Sequence, residues 1–401
     1  MTKTVPVNDW STDYDIFDPD YIRDPVPVWK ELRGQCPVAH TDRHSGSWLP
    51  TRYEDLQAFV RMVPEMSSKE PIVVPPPIVA EGDVDEYGIE SPPITSDPPE
   101  QIPIRRLILP FFTAKAVAPY REGTVELCHS LINEFIDKGE ADAAVQYAQQ
   151  LPPRIIARML GVDPGHAGGF VEWVRGVLEN GLTKPESRVK YRRIIREFFA
   201  EMVADRRKNP GDDMISQLLE KELDGEPVTD RTAVGMCNLM LVAGIDTTWS
   251  SIGSALWHLA STPSDRQRLA SEPELFPSAV EELLRYYSPV TMARICQKDI
   301  DVAGVSMKAG DRVLMNFPGA NHDPEVFDNP DEVILDREKN RHIAFGVGIH
   351  RCAGSNLARM EMDVALRVWM ERIPEFELSD PDTVKWAGGQ VRGPRNIPVQ
   401  F

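Results

Sequence analysis

Cysteine is scarce: five residues in 401, Cys36, Cys128, Cys237, Cys296 and Cys352, an odd count with no Cys-x-x-Cys pair. Such spacing fits neither a disulfide framework nor a zinc ribbon, and it points to a reducing compartment. Positive charge is short as well. Against 62 Asp and Glu stand 44 Lys and Arg, a formal charge of -18, so most of the surface would repel a phosphate backbone. A nucleic-acid role is therefore not expected. The first 20 residues lack the basic stretch and apolar core of a signal peptide or membrane anchor, which makes the cytoplasm the expected location. No Gly-x-Gly-x-x-Gly fingerprint and no iron-sulfur cysteine cluster is present, so any electrons must come from other proteins.

What is present is an ordinary globular composition, 42% hydrophobic and 26% charged, enough to build an extensive core. Proline reaches 35 residues and crowds ahead of Pro110, where residues 71–103 cannot form one regular helix. Residues 117–222 switch to helical periodicity, with apolar side chains three and four apart at Leu127, Leu131, Ile132 and Phe135. Residues 231–261, capped by Thr229 or Asp230 and stopped at Pro263, predict a helix of roughly 45 Å. It is apolar on nearly every side and should be central and buried. A membrane span is the weaker alternative, since Asn238, Asp246, Thr247 and Thr248 would sit in mid-bilayer. Strand-like runs follow residue 300, at 311–317 and 397–401.

The most informative string is Phe345-Gly346-Val347-Gly348-Ile349-His350-Arg351-Cys352-Ala353-Gly354, running into a helical stretch over residues 355–371. A lone cysteine is usually a small buried hydrophobe, and Cys36, Cys128, Cys237 and Cys296 receive that reading. Cys352 differs, because it ends a glycine-rich loop at a helix start. Backbone N–H groups and the helix dipole there should favour thiolate over thiol, which is what a metal ligand needs. Two further patterns carry chemistry less specifically. Ala243-Gly244-Ile245-Asp246-Thr247-Thr248 places an acid beside an alcohol inside the apolar helix, although a mid-helix Thr often just bonds the preceding turn. Glu282 and Arg285, three apart, could be an ordinary helix-surface pair.

The cysteine loop resembles the haem-binding signature of cytochromes P-450, in which Phe, Gly, Gly, His, Cys and Gly occur at these spacings. The resemblance runs from about residue 18 to residue 401, with motifs in family order. It implies a single haem domain over residues 1–401, mainly α with a small β region, shaped as a triangular prism with a long central helix over the haem. It assigns Cys352 as the iron ligand and haem b as cofactor, with Ala243, Gly244, Phe345, Gly346 and Gly354 lining it. Arg105, Arg294 and His350 would hold the haem propionates, and Gln101 stands where most soluble members carry His. Thr247 would bond the oxygen and Asp246 relay protons. Glu282, Arg285 and Arg337 would form a structural triad, and His322, where Arg is common, is read as structural.

The implied activity is insertion of one atom of O2 into a small apolar organic substrate, aromatic or alkoxy-aromatic, by hydroxylation or O-dealkylation. Electrons would pass from NAD(P)H through a reductase and a ferredoxin docking near Arg106, Arg351 and Arg359. Substrate contacts fall on the proline-rich loop before Pro99, Met240, Ala243, Gly244, Val290, Thr291, Met292, Ala293 and residues 387–390, including Gly389. Two other readings stand behind this one: a peroxide-driven peroxygenase, which typically lacks the acid–alcohol pair, and a haem sensor, which would need a signalling element.

Overall fold

Helix dominates the computed structural model, which describes residues 5–75 and 90–401. Pro76 and Pro77 of the expected substrate loop lie outside the described residues. The helices that position the site are α1 (Val26–Gln35), α2 (Tyr53–Arg61), α3 (Gln101–Ile108), α4 (Tyr120–Asn133), α5 (Leu151–Leu160), α6 (Ala167–Leu178), α7 (Pro185–Lys208), α8 (Asp230–Ser261), α9 (Phe276–Tyr286) and α10 (Ser355–Arg372).

The long helix α8 starts one residue earlier than expected. Thr229 is its cap, accepting the N–H of Thr232 at 3.2 Å, and Pro263 follows its last turn. At 1.5 Å per residue its 32 residues span about 48 Å. It packs against α5, α6, α7 and α10, which explains why it is apolar all round. No helix among the described residues is long and apolar enough to cross a membrane.

The β region is small. Strands β1 (Val38–Thr41), β2 (Ser47–Pro50), β3 (Met66–Ser67), β4 (Met292–Cys296) and β5 (Arg312–Met315) form one five-stranded sheet in the order β1-β2-β5-β4-β3. The register pairs Val313 with Arg294 across β5 and β4, and Met66 with Cys296 across β3 and β4. The expected strands at 311–317 and 397–401 shorten to Arg312–Met315 and Pro398–Gln400. A large apolar core gathers around α8, and smaller clusters lie on either side of the five-stranded sheet.

Behind the cysteine loop the expected triad is assembled. Glu282 and Arg285 are both fully buried, with the guanidinium donating to both carboxylate oxygens at 2.8 Å. Arg337 Nε adds a third bond at 2.9 Å, the N–H of Ile334 a fourth at 2.9 Å and Asn340 Nδ2 a fifth at 3.1 Å. His322 is buried as structural, its Nε2 on the Tyr286 carbonyl at 3.0 Å.

Candidate functional site

The cysteine loop is folded by its own backbone. The N–H of Cys352 donates to the Phe345 carbonyl at 2.8 Å, and that of Gly346 to Ile343 at 2.8 Å. Closing so small a loop requires left-handed backbone at Gly346 and Gly348, with φ of 67° and 72°, which side chains with a Cβ rarely adopt. Helix α10 then begins, the N–H of Ala358 donating to the Gly354 carbonyl at 3.0 Å. The loop is tied down from outside as well. Gln101 Nε2 donates to the Ile349 carbonyl at 2.8 Å, Arg105 donates to the Arg351 carbonyl, and His350 Nε2 meets Ser68 Oγ at 2.9 Å.

Cys352 keeps exposed surface although protein encloses it, so the sulfur faces an internal hollow rather than bulk water. Burial pushes its thiol up; the N–H of Gly354 and the guanidinium groups of Arg105, Arg351 and Arg359 pull the other way. Burial outweighs these donors, and a cation held at the sulfur would join their side of the balance, so the expected preference for thiolate belongs to the metal-bound loop. On α8, Ala243 is exposed and Val242, Gly244 and Thr247 are partly so. A Cβ at Gly244 would stand 2.7 Å from Ile156 Cδ1, so this glycine faces α5 and lets the two helices approach.

Thr247 donates its hydroxyl proton to the Ala243 carbonyl at 2.7 Å. Asp246 is fully buried and accepts from Ser250 Oγ at 3.1 Å, with Arg395 Nη2 also 3.1 Å away. Burial raises its carboxyl, and the Arg395 charge opposes the shift. Arg395 is shared: its Nε lies 2.8 Å from Glu179, which pairs at 3.0 Å with the partly exposed Arg175. A file of alternating charges therefore runs from the middle of α8 out to α6.

Around the loop the cationic side chains are short of acids. Arg294 is buried, donates among the described residues only to the neighbouring Ala293 carbonyl at 2.7 Å, and is lowered to about 10 by burial. Its nearest carboxylate, Asp97, is already engaged by Ser67 Oγ at 2.6 Å and the Ser68 N–H at 2.7 Å. Gln101 Oε1 is buried without a partner. A flat group bearing carboxylates fits such a donor set. His350 is held at about 3, by burial first and then by Arg294 and Arg105, so it acts as a hydrogen-bonding group. Gln101 gives one amide N–H to the loop carbonyl, which supports the cysteine loop, and its second amide N–H can still donate to a carboxylate.

The expected substrate residues divide. Successive side chains of β4 alternate, so Met292 and Arg294 share one face and Ala293 takes the other. Ala293 is fully buried among Tyr14, Trp29, Leu49 and Leu314, which removes it from the substrate contacts. Thr291 is buried too, its N–H on the Gln390 carbonyl at 3.1 Å, and Val290 bridges Val391. Met240 is 7% exposed. Gly389, at φ 86°, leaves only 2.6 Å between a Cβ and Phe17, so it serves close packing of the loop. Met292 stays partly exposed and Ala243 exposed, so these two can still meet a substrate.

Arg359 is also reassigned. It forks onto Glu281 at 2.6 and 2.8 Å and lies over the Phe345 ring at 4.4 Å, while Arg106 and Arg351 stay exposed. Sequence reasoning missed Arg395, Glu179, Ser68 and Glu361. The last is a fully buried acid on α10 with both oxygens unpartnered, and its only signal was a carboxylate between Met360 and Met362 in a core-facing run.

A family model described as cytochrome P-450 matches residues 173–386. The mycinamicin IV hydroxylase/epoxidase of Micromonospora griseorubida is 33% identical, covering 92% of this chain and 94% of its own. The 6-deoxyerythronolide B hydroxylase of Saccharopolyspora erythraea is 31% identical, covering 96% of this chain and 97% of its own. Among solved structures, the cytochrome P-450 PksS of the Bacillus subtilis 168 bacillaene polyketide synthase has a TM-score of 0.87 at 29% identity, covering 96% of this chain and 99% of that one.

Proposed function

The chain belongs to the cytochrome P-450 family, a family of haem monooxygenases, and from that premise we propose that it inserts one oxygen atom of O2 into a small, largely apolar organic molecule. The observation that carries this reading is the placement of Cys352: a sulfur facing an internal hollow, with an N–H donor from Gly354 and arginines around it. When bound, the haem supplies a thiolate-ligated iron at which dioxygen is reduced with two electrons and two protons.

The chain's own residues have separable tasks. Cys352 Sγ is the ligand, and the glycines at 346 and 348 let its loop take the required turn. Arg294 and Arg105 would take the propionate carboxylates, where their charges now lack full pairing. Thr247 keeps its hydroxyl at the edge of the hollow by bonding Ala243. Asp246 holds a proton or releases it according to how closely Arg395 stands to it, and Ser250 shares the exchange. That buried acid beside an alcohol supports the dioxygen route over a peroxide-driven one.

Electrons from NAD(P)H arrive, on this reading, through a reductase and a ferredoxin in the cytoplasm, and the chain works as one haem domain. With Arg359 held by Glu281, the docking charges left on the cysteine side are Arg106 and Arg351.

The test is the absorption spectrum of dithionite-reduced protein before and after carbon monoxide, run beside Cys352→Ser. A strongly red-shifted Soret band that disappears in the variant is expected; a histidine-type carbonyl spectrum in the unaltered protein would overturn the reading.

A further inference from the structure

Helix α7 carries Arg188 and Arg192 four residues apart, hence on one face. That face turns inward. Arg188 is 2% exposed; its Nη2 donates to the Pro75 carbonyl at 2.6 Å, while Nε and Nη1 are buried with no partner. Arg192 is partly exposed, and no hydrogen bond or ion pair joins it to another described residue. Burial lowers both to about 10, and each is further disfavoured by a neighbouring arginine, Arg192 beside Arg188 and Arg196 beside Arg192. Among the described residues the acid that acts on Arg188 is Glu70, already 2.7 Å from Arg312. Guanidinium charge withdrawn from water with no paired acid among the described residues is costly, so Arg188, with Arg192 one turn along the same helix, is built to receive an anion.

Their position says which anion. Gly181 rests on the Arg188 stem, with 2.7 Å between a Cβ there and Arg188 Cβ, and the adjacent Leu182 lies 3.0 Å from a Cβ built on Gly389. Pro75 belongs to the segment whose Val73 N–H is held by Gln390 Oε1 at 2.9 Å, and Gln390 Nε2 in turn reaches Met292 Sδ at 3.0 Å. Arg188 thus sits on the same wall as Met292 and the 389–390 loop, with Arg192 one turn along α7 and Arg312 and Glu70 nearby.

We propose that Arg188 and Arg192 anchor the carboxylate of the substrate, an organic acid whose remaining body is apolar; the proposal rests on the monooxygenase reading and narrows its substrate class. Residues 289–293 offer no charged anchor, and α7 supplies it instead. Guanidinium groups suit this task because they present several fixed N–H donors to the two oxygens of one carboxylate.

The experiment is an optical titration of the haem-loaded protein with matched acid and amide probes: 4-methoxybenzoate with 4-methoxybenzamide, 4-phenylbutanoate with its amide, and decanoate with decanamide. At least one acid is expected to bind about tenfold more tightly than its amide, the effect of a hydrogen bond to a charged group. In Arg188→Gln or Arg192→Gln that preference should shrink below about threefold. Amides binding as well as acids in every pair, no acid binding at all, or a preference that survives both substitutions would each overturn the proposal. If one variant fails to hold haem, the other decides. The carbon monoxide spectrum of the unaltered protein, taken first, separates failure of this anchor from failure of the monooxygenase reading.

Discussion

Arg395 and Asp246, 149 residues apart in sequence, meet at 3.1 Å beside the middle of the long helix. The arginine comes from the turn before the last strand and arrives with Glu179 already on its Nε at 2.8 Å. Asp246 therefore shares its counter-charge with a second carboxylate. Burial favours its neutral form and Arg395 its ionised form, a balance that suits a group required to take up and release protons.

Arg395→Gln tips that balance. Without the cation, the Asp246 carboxyl rises further above its ordinary 3.8. Its raised value makes the folded state hold a proton that the unfolded state has lost, so the variant's stability should fall as pH climbs through the raised value. Turnover should drop about tenfold, with the acid limb of the pH–rate profile moved to higher pH. An acid limb that stays in place would count against a proton-handling role for Asp246.

Thr247→Ala should leave folding nearly intact, because the hydroxyl only back-bonds the Ala243 carbonyl within its own helix. The effect belongs to coupling. NADH consumption should continue while product falls, with the difference recovered as hydrogen peroxide. Peroxide assayed beside product gives the ratio, and full coupling in the variant would remove Thr247 from proton delivery.

Much of this was legible because local pattern and tertiary role coincide. Cys352, Gly346 and Gly348 occupy one short loop whose turns need glycine, and α8 announced itself by being apolar on all sides with caps at both ends. Arg395 was not legible, since its meaning lies in a contact made far along the chain. Arg188 and Arg192 were hidden for another reason: the apolar face of α7 is marked only from Ile195 onward, at Phe199 and Val203, and its charged first half does not distinguish an inward arginine from a solvated one. Ala293 failed through strand alternation, being one residue out of phase with Met292 and Arg294.

Glu361 offers a clean pH test. Burial raises its carboxyl well above the ordinary 4.5, and the Cys128 thiol beside it is pushed up to about 12. The folded protein holds this proton to higher pH than the unfolded chain does, so stability is fully present below the unfolded value and declines as pH rises toward the folded one. Glu361→Gln, neutral at every pH, should lose this slope. Thermal midpoints from about pH 5 to pH 9 should fall less steeply than those of the unaltered protein, and parallel slopes would show that Glu361 is ionised.

Glu282 and Glu281 are sequence neighbours with different consequences. Two arginines, a backbone N–H and an asparagine converge on Glu282 inside the fold, so Glu282→Ala strands two guanidinium groups and should cost about 3–5 kcal/mol. Glu281 is 32% exposed and pairs with Arg359 and His342 at the rim. Burial raises its carboxyl, but Arg359 and His342 outweigh that and hold it at about 2, below the ordinary 4.5. The stability it adds is present above the ordinary value and lost as pH falls toward about 2. Glu281→Ala should cost about 1 kcal/mol at neutral pH, since solvent screens a partly exposed pair. Denaturant unfolding of the two variants side by side checks the contrast, and equal losses would mean that the triad is no more than another surface pair.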